Sequence, residues 1–267
     1  MRLNNVDELI GLFGLSGKTA VITGGYGYLG AEITRAVVAA GAEVFVLGRD
    51  SRKYNEAFQT MEAVSFVECD VSNSESVTKA FEEIERQNEH LDILVNNAYY
   101  AASSGSFETE SDENIAYTLD GTVGQTYRVT RAALPLLKAA PAGAVIVNVS
   151  SMYACVSPVP QVYDSTNAIP NPIIYGAGKA GVEQLTRYLA VFAAPYGIRV
   201  NAIAPGAFPD PSKVDDDDFK VALAEQTPLK RIGAPSDLSA AVLYLCSSGA
   251  SFVTGQVIHV DGGWTIV

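Results

Sequence analysis

Seven short apolar runs, separated by stretches of helical periodicity, set what this chain can fold into. They are TAVIT (Thr19–Thr23), EVFVLG (Glu43–Gly48), Val64–Val67, DILVN (Asp92–Asn96), AVIVNV (Ala144–Val149), IRVNAI (Ile198–Ile203) and QVIHV (Gln256–Val260). Runs without polar alternation suit strands buried on both faces, as in a parallel sheet covered by helices. The pattern predicts an α/β protein: a single-domain Rossmann fold whose doubly wound parallel sheet has about seven strands. No repeat or linker divides residues 1–267, and a chain that is 48% hydrophobic can fill one large core. Three segments break the rhythm. Residues 1–14 precede the first strand, and Val6, Leu9, Ile10 and Phe13 are spaced to form one apolar helix face. Residues 152–174, rich in Pro, Ser and Asn, and residues 205–226 read as loops that carry substrate recognition.

Composition removes several function classes. A net charge of −12 argues against a nucleic-acid partner, because phosphate binding needs clustered Lys and Arg. No run approaches the roughly 20 apolar residues of a membrane span, and the N-terminus lacks the apolar stretch of a signal peptide. A cytoplasmic protein is expected. Cys69, Cys155 and Cys246 have no Cys-x-x-Cys spacing and read as free thiols. The only histidines, His90 and His259, have no second ligand at a metal-like spacing, so no metal site is expected. Asp215–Asp218 reads as the capped, solvated start of a helix.

TGGYGYLG (Thr23–Gly30) follows the first strand and opens a helix. Gly25, Gly27 and Gly30 satisfy Gly-x-Gly-x-x-Gly, whose glycines let the backbone approach a pyrophosphate at a helix N-terminus. Gly24, Gly25, Tyr26, Gly27, Tyr28 and Leu29 are therefore candidate dinucleotide-binding residues. NAD enzymes place a carboxylate at the end of strand two, and NADP enzymes an Arg nearby. Here Gly48 stands where the carboxylate belongs, and Arg49 follows. NADP(H) is the preferred cofactor; NAD(H) stays open, since Asp50 is within reach of the ribose.

Tyr175 and Lys179 form the only Tyr-x-x-x-Lys in the chain. On a helix that spacing puts both on one face, where the ammonium would lower the phenol's pKa and make an acid/base. A solvent-facing helix carries such pairs too, so the surroundings decide. NVSS (Asn148–Ser151) and Asn96-Asn97-Ala98 end the fifth and fourth strands, at the sheet edge where ligands bind in such folds.

Together these segments resemble the compact, single-domain branch of the short-chain dehydrogenases/reductases, over about Leu15 to Thr265. The resemblance includes the glycine loop, Asp70-Val71, Asn96–Ala98, NVSS, YGAGKAG (Tyr175–Gly181), RVNAIAPG (Arg199–Gly206) and TGQVIHVDGG (Thr254–Gly263). It implies that Tyr175 is the proton donor or acceptor, that Ser151 holds the substrate oxygen, and that Lys179 binds the nicotinamide ribose. It further implies that Asp70 and Val71 line the adenine pocket and that Asn97, Ala98, Pro205 and Gly206 lie along the cofactor. The substrate would be a small carbonyl or alcohol, with a sugar, sugar acid or polyol suggested by the long spacing from Ser151 to Tyr175. Assembly as a homotetramer, or at least a homodimer, is expected from the family and from apolar Val129–Leu137, Val182–Ala194 and the C-terminal WTIV.

The chain departs from the family at several points. Tyr28 replaces the usual middle glycine, and Tyr99 follows Asn96–Ala98 where a glycine is usual. The helix Asn that extends the proton relay in relatives has no counterpart; Thr118, Gly121 and Thr122 occupy the candidate positions, and Asn114 comes too early. Ser150 competes with Ser151, and Tyr163 with Tyr175. The Gly24, Gly27, Gly30 spacing also occurs in sugar-nucleotide epimerases and dehydratases, whose extra domain this length does not accommodate. A dinucleotide-sensing binding protein is the non-enzyme alternative, and the intact Ser-Tyr-Lys set speaks against it.

Overall fold

Seven parallel strands form one sheet in the order β3-β2-β1-β4-β5-β6-β7: β1 (Thr19–Thr23), β2 (Glu43–Gly48), β3 (Val64–Glu68), β4 (Ile93–Asn96), β5 (Val145–Val149), β6 (Arg199–Pro205) and β7 (Val257–Val260). The computed structural model describes residues 6–102, 107–164 and 170–267. Residues 1–5 of the N-terminal extension and 165–169 of the first inserted segment lie outside the described residues. The helices are α1 (Val6–Phe13), α2 (Tyr28–Ala39), α3 (Ser51–Phe58), α4 (Ser74–Glu85), α5 (Asp112–Leu119), α6 (Gln125–Lys138), α7 (Pro160–Asp164), α8 (Ile173–Ala193), α9 (Asp217–Gln226) and α10 (Ser239–Cys246).

The strands other than the edge strand β7 feed two cores at once, because successive side chains point to opposite faces. Val21, Phe45, Leu94, Ile146 and Val200 pack with α4, α6 and α8. Ala20, Ile22, Val46, Val95 and Val147 pack with α2 and α10. This accounts for apolar runs with no polar alternation. The chain moves outward from β1 to β3 and returns beside β1 as β4, so the order reverses between β1 and β4. A ligand crevice opens at that point, beyond the carboxyl ends of the strands.

The inserted segments are more structured than loops. Residues 152–174 contain a 3-10 turn at Met152–Ala154, the short helix α7 and the start of α8; residues 205–226 end in α9. The reason is a third apolar cluster, in which Met152 and Val162 meet Phe219, Leu223 and Trp264. Asp216 caps α9 by accepting from Phe219 N at 2.9 Å, as the acidic run predicted. The N-terminal extension forms α1, in which Ile10 is 63% exposed. All three cysteines are free thiols. Among the described residues no three His, Cys, Asp or Glu side chains gather to hold a metal, and no helix is long and apolar enough to cross a membrane.

Candidate active site

The glycine loop is folded onto β1, β2 and β4. Gly24 takes a left-handed φ of 62°, and its N–H donates to Leu47 O at 2.7 Å. Asn97 Nδ2 staples the loop by donating to Thr23 O at 3.0 Å and Gly24 O at 3.1 Å. A Cβ on Gly30 would sit 2.3 Å from Gly24 O and 2.6 Å from Asn97 Nδ2, so only glycine lets α2 start this close. No side chain caps the first turn of this 12-residue helix, whose N-cap is Gly27. Uncapped N–H groups, the positive end of the helix and a backbone cradle fit a dinucleotide pyrophosphate.

From this loop a cleft of about 530 Å³ runs past Asp70 and Val71, Asn97 and Ala98, to Ser151, Tyr175 and Lys179, with Pro205 and Gly206 on its other wall. All the residues expected from the sequence to contact a cofactor, except Gly25, line it. Gly25 packs against the Thr34 and Val46 side chains instead. Burial works to raise the Asp70 carboxyl, but hydrogen bonds from Ser72 N and Oγ, at 2.9 and 2.7 Å, outweigh it and hold the group below the usual range. At the far end Arg49 is exposed, and Asp50 is committed as the cap of α3, with Oδ1 accepting from Arg52 N and Lys53 N, each at 3.1 Å.

At the other end, α8 brings Tyr175 and Lys179 to the cleft one turn apart, both buried. Lys179 Nζ donates to Val149 O at 2.8 Å, and burial pulls its ammonium down to about 8. The expected lowering of the Tyr175 phenol is not what the structure gives. Burial first, then neighbouring Tyr99, push the phenol above its ordinary value, and the hydrogen bond with Ser151 offsets only part of this. The physical reason is that burial disfavours phenolate and ammonium alike.

The two serines part company. Ser151 meets Tyr175, and its Oγ also accepts from Tyr153 N at 3.2 Å. Ser150 turns into the protein, with Oγ 3.2 Å from both Lys179 O and Glu183 Oε1. Tyr163 is paired with Tyr153, hydroxyl to hydroxyl at 2.7 Å. The Tyr99 ring stands edge-on to Tyr175 with centroids 5.8 Å apart, and it flanks Lys179 Nζ at 5.4 Å.

Of the relay candidates, Thr122 is the one pressed on the catalytic helix: a Cβ on Gly178 would lie 2.0 Å from its Oγ1. It sits in a π-helical turn, Asp120–Gly124, and donates to Thr118 O at 2.8 Å. Thr118 Oγ1 is occupied by Ala102 N at 3.0 Å, Gly121 packs under Tyr100, and Asn114 binds Glu110. Sequence reasoning missed a nearby network. Arg128 donates to Asp120 Oδ1 at 2.5 Å and to Val71 O at 2.6 Å, and the Tyr100 hydroxyl donates to Asp120. It ties Val71 to the residues after β4. The available signal was an acid and a base eight positions apart, a spacing that meets only across the π-turn.

Comparison with known proteins gives the family and the fold. Residues 28–265 match the family described as Enoyl-(Acyl carrier protein) reductase. The chain is 35% identical to 3beta-hydroxysteroid dehydrogenase 1 of Eggerthella lenta, over 94% of this chain and 95% of that protein. It is 34% identical to a galactitol 2-dehydrogenase (L-tagatose-forming) of Cereibacter sphaeroides, over 96% and 98%. Among solved structures, a gluconate 5-dehydrogenase from Burkholderia cenocepacia in complex with NADP and tartrate superposes with a TM-score of 0.85 at 28% identity, covering 97% of this chain and 99% of the other.

Proposed function

The chain belongs to the short-chain dehydrogenase/reductase family, and we propose from that premise that it moves a hydride between NADP(H) and a secondary alcohol/ketone pair, with Ser151, Tyr175 and Lys179 as its catalytic set. The observation that carries the proposal is that Ser151, Tyr175 and buried Lys179 line one cleft with the glycine loop. Once bound, the nicotinamide supplies or accepts the hydride. The loop Gly24–Leu29 and the start of α2 would hold the pyrophosphate, Asp70 and Val71 the adenine, and Arg49 the 2′-phosphate. Asn97, Ala98, Pro205 and Gly206 would flank the path to the nicotinamide, and Lys179 would take its ribose.

The chain's own task is to hold the carbonyl oxygen and move one proton. Reduction of a ketone leaves a strongly basic oxygen, and Tyr175 protonates it while Ser151 donates a hydrogen bond. A phenol raised by burial gives up its proton only to so strong a base. In the oxidative direction Tyr175 must lose that proton first, and Lys179 is the nearby positive charge that favours the phenolate.

The two relatives named above act, by name, on a polyol and a steroid, so the shared chemistry is a secondary alcohol on very different bodies. We assign recognition of that body to residues 152–174 and 205–226, where α7 and α9 meet. The reading includes a cytoplasmic location, which the free thiols favour. It also includes a homotetramer or homodimer, supported by Tyr188, Val191, Ile266 and Val267, which are 72–86% exposed in the single chain. Purified protein is expected to oxidise NADPH with members of a ketone panel. Tyr175→Phe should lose about 10²–10⁴-fold in kcat and still bind NADPH. Near-normal turnover by Tyr175→Phe, with Tyr163→Phe inactive, would overturn the assignment.

A further inference from the structure

The adenosine end of the cleft contains a device that the glycine motif does not announce. The Tyr26 ring, set against Phe66 with centroids 6.5 Å apart, covers Gly48. A Cβ at position 48 would lie 2.3 Å from Tyr26 Cε1 and 2.5 Å from its hydroxyl, so no side chain fits there while the ring is in place. The carboxylate that an NAD site presents to the ribose would have to displace the Tyr26 ring. The Tyr26 oxygen accepts from Arg49 N at 3.0 Å and from Asp50 N at 3.1 Å. The phenol oxygen already accepts two N–H groups, so the hydroxyl is left to serve a ligand as a donor.

We propose that Tyr26 is a second determinant of cofactor choice, donating its hydroxyl proton to the 2′-phosphate of NADP(H) while its ring blocks an acidic residue at position 48. The inference rests on the reading of this cleft as a nicotinamide-dinucleotide site. A donor-only hydroxyl bonded to the backbone of exposed, cationic Arg49 favours an anionic group made only of acceptors, and a charge-assisted bond is the stronger kind. Asp50 has one of its two oxygens engaged as the cap of α3. The ring also explains why Gly48 stands where a carboxylate is usual: a pocket built around Tyr26 has no room for one.

The test is calorimetric titration of the full chain with adenosine 2′,5′-bisphosphate and adenosine 5′-monophosphate. Wild type is expected to prefer the bisphosphate. Tyr26→Phe keeps the ring and should weaken the bisphosphate about tenfold, at the low end for a hydrogen bond to a charged group, with the monophosphate within about twofold. Arg49→Ala should act in the same selective way. Equal loss of both ligands in Tyr26→Phe would mean that the hydroxyl only shapes the loop, and an unchanged bisphosphate affinity would mean that it does nothing for the ligand; either overturns the proposal. A second pair tests the steric half. Gly48→Asp alone should lower the melting temperature by displacing the ring, and Tyr26→Ala with Gly48→Asp should recover it and prefer the monophosphate. A double variant that remains as unstable as Gly48→Asp counts against the proposal. Wild type that binds both ligands equally would sink the NADP(H) reading as well, whereas a wild-type preference that survives Tyr26→Phe would sink the role of Tyr26 alone.

Discussion

Replacing Lys179 by Met should make the protein more stable while removing its activity. Lys179 is 3% exposed, and burial lowers its ammonium from 10.5 to about 8. Since one pH unit corresponds to about 1.4 kcal/mol, holding that charge costs the folded state about 3 kcal/mol at pH 7. Met matches the length and apolar stem but gives up the hydrogen bond to Val149 O, worth about 1 kcal/mol. The difference, about 2 kcal/mol, corresponds to a melting temperature higher by about 4–8 °C. The pH dependence supplies an independent check. Because the folded value lies below the unfolded one, the unfolded chain binds more protons between about pH 8 and 10.5, and wild-type stability rises with pH across that window. The cost falls to about 2 kcal/mol at pH 9, so the advantage of Lys179→Met narrows as pH rises. Calorimetry on cofactor-free protein from pH 7 to 9.5, with urea unfolding alongside, measures both effects. A variant less stable than wild type at pH 7, or a gap that does not change with pH, would refute this account of the buried ammonium.

Ser151→Ala should lower kcat by about tenfold or more, because it removes a hydrogen bond to the reacting oxygen; Ser150→Ala should spare kcat and act on stability through the contacts with Lys179 O and Glu183, which steady-state kinetics and thermal melts separate. Replacing residues 155–172 by a short turn is expected to change the order of preferred substrates while leaving NADPH affinity nearly intact, as judged by a ketone panel and fluorescence titration. Light scattering at micromolar concentration should give the mass of a dimer or tetramer rather than the 28.3 kDa of one chain.

Most of the sheet was legible because β1, β2, β4, β5 and β6 are buried on both faces, which writes an apolar run into the sequence at each. The positions of Ser151, Tyr175 and Lys179 were legible for a related reason: strand ends and one helical turn fix them with little help from the rest of the chain. What the sequence hid depends on contacts between distant segments. Helix α7 forms in a stretch rich in Pro, Ser and Asn because Val162 meets Phe219 and Leu223, some 60 residues later. The Tyr100, Asp120 and Arg128 network needs a π-turn to bring its acid and base together, and no local pattern encodes that turn. The direction of the Tyr175 shift could not be read from the Tyr-x-x-x-Lys spacing either. Spacing places a charge near the phenol, but the burial of both groups decides the sign. Gly48 shows the same limit most directly: in sequence it is a missing carboxylate, and in the fold it is the only residue that leaves room for the ring of Tyr26.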